Sequence, residues 1–177
     1  MLVHKNLELW QFYGFVFSGV FGTVLHFLYM WTKKSVLVAP FSAVNESTWE
    51  HMKILSFPMF IFSFIECYVF CNTYDNFWCV KAIGILTGLI LIPVLFYTYL
   101  GIFGKSTAWF NILIFFIADA AAYFVEAILF RQEFSCADTI CLLFLCIIAL
   151  LFGIFTFYPP KIPLFQDPIS GNYGIPK

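Results

Sequence analysis

The chain has 177 residues, of which 62% are hydrophobic and 11% charged, with 25 Phe and a formal net charge of -1. Soluble domains carry about 25% charged residues, and an apolar excess of this size cannot be covered by polar surface in water. A near-neutral chain with no basic stripe excludes nucleic acid, so the expected partner is the lipid bilayer.

Five apolar runs are long enough to span, at about 9–31, 49–71, 77–103, 107–130 and 137–158. Each reaches the roughly 20 residues that a helix needs to cross about 30 Å of hydrocarbon. Helices are expected because each satisfies its backbone groups within its own segment. The first run is read as a retained span: its apolar length exceeds a signal core, and Lys33 and Lys34 follow it instead of a small-residue cleavage site. The fold class expected is an all-α polytopic membrane bundle of five transmembrane helices, forming a single domain over 1–177.

Lysine and arginine set the orientation. Lys5, Lys81 and Arg131 fall on the side of the N-terminus, and Lys33, Lys34, Lys53, Lys105, Lys161 and Lys177 on the other. Positive residues favour the cytoplasm, which predicts N-terminus out and C-terminus in. The location implied is a cell membrane, the inner one if the source is bacterial. Short links at 72–76 and 104–106 make spans two to four antiparallel neighbours. The tail after Tyr158 holds Pro159, Pro160, Pro163, Pro168 and Pro176, so it cannot be helical. Its Phe165, Ile169, Tyr173 and Ile175 are unlike a disordered tail; an extended segment packed on the inner end of the bundle is expected, with a floppy surface tail as the alternative.

Reactive side chains concentrate in VNESTWEHMK, residues 44–53. Ser47 to Glu50 has the form S-x-x-E before an apolar run, a capping box that starts a helix. Trp49 suits an interfacial belt, and Lys53 can snorkel to the headgroups. Capping requires neither Glu46 nor His51. If helical, Glu46 and Glu50 stack four residues apart, and His51 lies about one turn inside the second span, where an ionisable group is costly. His26, near the inner end of the first span, lies at a similar depth. Glu46, Glu50 and His51 are therefore candidate catalytic residues for acid–base work. His26, His51 and Glu50 are candidate ligands for a divalent metal such as zinc. Asp167, Asn172 and Tyr173 of the tail are candidate lid residues. Ring nitrogens of His26 and His51 about 3–4 Å apart would fit shared metal binding; separation beyond about 8 Å with no carboxylate between them would not.

A second polar group lies toward the outer end. Glu66, Lys81 and Glu126 match in depth and read as a buried ion network fixing helix order, or as a cation or proton path. Asp119, mid-span, shares a helix face with Tyr123 and Glu126. It reads either as part of that path or as a structural carboxyl bonded to Tyr97, Tyr99 or Asn111. Pro58 and Pro93 are expected to kink spans two and three.

Cys67, Cys71, Cys79 and Cys136 lie toward the outer face, where a disulfide can form if the compartment is oxidising. No CxxC pair supports a zinc knuckle or a redox motif, and packing is the simpler use of these residues.

VNESTWEH together with YPPKIPLFQDPISGNYGI after the last span resembles a family of small multi-pass bacterial membrane proteins known only as a domain of unknown function. The resemblance spans nearly the whole chain and implies the membrane architecture but no activity. Ser47-x-x-x-His51 is also similar to the S-x-x-x-H of the alkaline ceramidase and adiponectin-receptor hydrolases, whose histidines bind zinc. That superfamily has seven spans and a late H-x-x-x-H pair, and this chain has no histidine after His51. Three functions stay open: a non-catalytic membrane subunit, a metal-dependent hydrolase or transferase of lipid-like substrates, and a small proton-coupled transporter. Its protein partners are unknown.

Overall fold

The computed structural model describes residues 2–175, with side chains from residue 6 onward. The expectations resting on Pro176 and Lys177 lie outside the described residues, and that on Lys5 outside the described side chains. The chain is all-helical: α1 (Leu2–Trp31), α2 (Thr48–Phe70), α3 (Phe77–Phe103), α4 (Ala108–Leu129) and α5 (Asp138–Phe157), followed by a single 3-10 turn at Pro163–Phe165. All five helices are long and apolar enough to cross a membrane. The first begins at Leu2 rather than at residue 9, because Glu8 and its polar neighbours extend the helix beyond the apolar run instead of ending it.

Helices α1 to α4 surround one core, and α5 packs on it from the side of α3 and α2, adding Leu145 and Phe152. Helix α1 fits because Gly14, Ser18 and Gly22 recur every four residues on one face. The rings of Tyr123 and Phe62 pack on Gly14, and Phe115 packs on Gly22. Gly22 also faces the Ile54 carbonyl, where a Cβ would stand 2.9 Å from the oxygen. Pro58 explains that contact, since it removes the N–H that would have bonded Ile54 four residues back. The kinked helix thus turns its freed carbonyl toward a glycine.

Helix ends follow local chemistry. α2 starts at Ser47, whose extended backbone (φ -68°, ψ 154°) and hydroxyl cap the Glu50 amide at 3.4 Å. α3 ends on Gly104 at φ 69°, a left-handed stop that glycine adopts without strain. At the other end of α3, the Cys79 amide donates to the Asp138 carboxylate at 3.0 Å. One first-turn donor of α3 is thereby satisfied by the start of α5. Two disulfides close this end of the bundle, Cys67–Cys71 and Cys79–Cys136.

The tail folds back. Phe165 is buried against Trp49 and Phe155, with ring centroids 4.6 and 5.6 Å away. Gln166 and Tyr173 form a bridge, and Asp167 caps the intervening turn by accepting from the Ile169 amide (3.0 Å) and the Ser170 hydroxyl. Trp49 therefore lies beneath the tail, packed on Phe152 of α5 at 4.5 Å, rather than at a headgroup belt.

Candidate functional site

The loop 32–47 positions the side chains at one end of the bundle, named inner after the orientation expected from the lysines; the disulfide-bonded end is named outer. Ser42 is the hub: its hydroxyl donates to the Leu25 carbonyl at 2.7 Å and accepts from the Tyr29 amide at 2.8 Å. Those two groups are an i, i+4 pair, so the loop is stitched into the turn of α1 that carries His26. Asn45 accepts from the Ser47 amide at 2.9 Å and donates to the Gly174 carbonyl of the tail at 2.8 Å. Glu46 is thus held between two fixed neighbours, while its own side chain is 39% exposed.

His26, Glu46 and His51 converge. The Glu46 carboxylate lies 3.6 Å from His26 Nε2 and 3.7 Å from His51 Nε2. The ring centroids of the two histidines are 5.6 Å apart. One ligand atom from each of the three residues lies within 4.8 Å of the other two. His51 Nδ1 is 2.9 Å from the Ser47 carbonyl. A carbonyl only accepts, so Nδ1 carries the proton and Nε2 of the neutral ring is left as an acceptor. That is the orientation a metal-ligating imidazole takes when its second nitrogen is bonded to a backbone carbonyl. Both carboxylate distances exceed hydrogen-bond range: the three groups face one another without joining.

Beside them lies a small, half-open recess. Glu46, Thr48, His51 and Asn111 give it polar walls, and Ile92, Phe96, Ile114 and Phe115 give it apolar ones.

Glu50 does not join this set. It and Glu46 do not stack, because Glu46 precedes the cap and lies outside the helix. The Glu50 carboxylate instead accepts from the Val44 amide at 3.0 Å and pairs with Lys53 at 2.6 Å. Only half of the expected capping box forms, the Ser47 amide being taken by Asn45. Lys53 does not snorkel. It is fully buried, and its ammonium donates to Glu50, to the Ala39 carbonyl at 2.9 Å and to Thr156 of α5 at 2.8 Å. All three donors are used, tying α2, the loop and α5 together. The Glu–Lys spacing of i, i+3 was the available signal.

The tail residues Asp167, Asn172 and Tyr173 serve the tail's own turn, with the Asp167 amide donating to the Asn172 carbonyl at 2.9 Å. The tail reaches the site region through Gly174 and Asn45 instead.

At the outer end, Lys81 pairs with both Glu66 and Glu126, and all three are buried. Gln11 donates to Glu66 at 2.9 Å. The Lys81 ammonium also lies 5.6 to 5.8 Å from the ring centroids of Phe77, Tyr123 and Phe130, within cation–π range. Gly84 makes room for Glu126, since a Cβ there would fall on the carboxyl group. Tyr123 shares a 2.8 Å hydrogen bond with Ser18. Asp119 is fully buried beside Gly19, with no hydrogen-bond partner for either oxygen among the described residues. Tyr99 and Asn111 do not reach it: they bond Thr107 at 3.0 Å and Ser106 at 3.1 Å, at the inner ends of α3 and α4.

Fold and site together define a multi-pass helical bundle of membrane-spanning composition, with a half-open polar trio at one end and a sealed ion network at the other. A family model described as a family of unknown function (DUF6512) matches residues 2–175. The chain belongs to that family. No curated protein and no solved structure matches it. The likeness to the alkaline ceramidases and adiponectin receptors thus rests on Ser47 and His51 alone.

Proposed function

We propose that the protein is an integral membrane protein, N-terminus out, whose His26, Glu46 and His51 bind a divalent metal such as zinc. In this reading it is a hydrolase or transferase acting on a lipid-like substrate. The observation that carries the reading is the trio itself: two imidazoles and a carboxylate facing one another beyond hydrogen-bond distance, with His51 Nε2 left as an acceptor. Donor bonds of about 2.0–2.1 Å place tetrahedral ligands roughly 3.4 Å apart. The ligand atoms lie within 4.8 Å, so the set tightens by at most about 1.4 Å around an ion, and Glu46, the most exposed of the three, is the freest to move. Three protein ligands leave a fourth position open, and a metal held this way polarises a carbonyl or phosphoryl oxygen.

The recess supports the substrate class. Its polar side carries Glu46 and His51 of the trio, and its Ile92, Phe96, Ile114 and Phe115 side suits contact with the apolar part of a lipid-like substrate. The disulfides support the orientation: both lie at the end that the lysine bias places outside, where thiols oxidise. Proton-coupled transport has less support. A path through Asp119 would need polar groups between it and the recess, whereas Phe115, one turn from Asp119, and Ile92 are packed apolar core.

Elemental analysis of detergent-purified protein tests the metal. About one ion per chain is expected, as in sites of this donor set, and it should be absent from His51→Ala and His26→Ala. Wild type without stoichiometric metal after zinc or cobalt loading, or variants that retain it, would overturn the reading.

A further inference from the structure

Three sulfurs meet at the outer end of the bundle, away from the trio. Cys79 opens α3 and is disulfide-bonded to Cys136 of the α4–α5 loop. Cys141, in the first turns of α5, is a free thiol whose Sγ lies 3.1 Å from Cys79 Sγ and 3.7 Å from Cys136 Sγ. The two other bonded cysteines, Cys67 and Cys71, have no third sulfur grouped with them among the described residues. A free thiol whose sulfur lies this close to a disulfide sulfur is within reach of exchange with it.

We propose that Cys79, Cys136 and Cys141 form a thiol–disulfide exchange site facing the outer aqueous phase. The Cys141 thiol loses its proton to solvent and its thiolate attacks Cys79 Sγ. The Cys79–Cys141 bond forms as the Cys79–Cys136 bond breaks, and Cys136 leaves as a thiolate that takes up a proton. One thiol and one disulfide are present before and after, so no oxidant is consumed. Cys141 stands beside the bond, and in-line attack on Cys79 requires its side chain to swing away from Cys136.

Attack at Cys79 is favoured over attack at Cys136 for two reasons. Cys79 Sγ is the nearer atom. The leaving thiolate is then Cys136, which is exposed and solvated, whereas Cys79 is buried. Exchange also releases the loop from α3, leaving it tied only through contacts such as the Asn76 amide on the Gln132 carbonyl at 3.3 Å. The freed Cys136 thiol is placed to react with soluble disulfides: its thiolate attacks one sulfur, forms a mixed disulfide and expels the other as a thiolate. The outward direction of this surface rests on the orientation proposed above, but the exchange itself does not.

The test is a peptide map of the oxidised, detergent-purified chain after labelling with a membrane-impermeant maleimide at about pH 8, where thiolates are populated. In wild type a Cys79–Cys141 cross-linked peptide and maleimide on Cys136 are expected to appear together. Cys141→Ser is expected to lose the Cys136 label, and Cys146→Ser, which removes the other free thiol, to keep it. Three outcomes overturn the proposal: a wild-type map holding only the Cys79–Cys136 link with Cys136 protected, equal Cys136 labelling in Cys141→Ser, or all three thiols free. The wild-type map decides the matter even if Cys141→Ser does not fold. Labelling of intact cells addresses orientation separately: Cys136 labelled in detergent but not on cells refutes the topology and leaves the exchange standing.

Discussion

The two ends of the bundle use the same residue types differently. At the outer end, Glu66, Lys81 and Glu126 are each at most 1% exposed, and the ammonium touches both carboxylates. At the inner end, His26, Glu46 and His51 are 25%, 39% and 15% exposed and stop short of hydrogen bonds. Burying charge is costly, and it is tolerated when every partner is supplied by the protein. The outer network meets that condition for its cation, which favours the reading that it fixes helix order. The inner trio leaves donor atoms facing one another at the edge of a recess, the arrangement on which the proposed metal site rests. Glu50 and Lys53 sharpen the contrast, since they lie within a turn of His51 yet are closed like the outer network.

Removing the shared cation breaks the comparison most. Lys81→Met strands two buried carboxylates and is expected to cost about 3–5 kcal/mol, seen as loss of monodisperse protein in detergent thermal melts. Adding Glu66→Gln and Glu126→Gln to that variant should recover much of the loss, because a neutral network carries no unpaired charge. Failure of the triple variant to recover would show that the charges do more than fix the fold.

Lys53→Met comes next. It strands a single carboxylate that still accepts from the Val44 amide, so about 2–3 kcal/mol is expected, read by the same melts. It should also loosen the tail, because Lys53 joins α2 to Thr156 at the end of α5. Faster proteolysis after Tyr158 is the matching observation.

Gly84→Ala probes the packing around the outer network. Its Cβ would land on the Glu126 carboxyl, whereas the Cβ of Gly88→Ala meets the tip of Leu55 at 2.7 Å. A flexible leucine gives way and a carboxylate held by Lys81 does not. Gly84→Ala should cost about 1–3 kcal/mol and Gly88→Ala clearly less; equal losses would mean that Glu126 is not held.

Much of the bundle was legible because spanning helices are written in composition and length. The outer trio was legible too, since matched depth on antiparallel neighbours is nearly enough to pair Lys81 with two glutamates. What escaped depended on direction rather than depth. Glu50 read as a ligand and Lys53 as a snorkelling residue because the Ala39 carbonyl and Thr156, which bury Lys53, come from a loop fold and from a helix 103 residues away. The tail aromatics signalled packing, but nothing in the sequence showed that Asp167 and Tyr173 would be spent on the tail's own turn. The pairing of Cys79 with Cys136 spans 57 residues, a separation that carries no local signal.

The smallest stability effect belongs to the residue on which the inner site turns. Glu46 lies outside α2, its side chain caps nothing, and its backbone is held by its neighbours. Glu46→Gln keeps the shape and removes the charge, so melting should shift by no more than about 0.5 kcal/mol, as for exposed substitutions generally. If the trio binds a divalent ion, the same change should remove most of the bound metal, because a carboxamide oxygen is a far weaker ligand than a carboxylate. If the carboxylate merely balances two imidazoles, stability should move and bound metal should not. One variant therefore separates the two roles, and Glu50→Gln is its mirror image: there the structure assigns a packing role, so stability is expected to fall while metal content in the folded fraction holds.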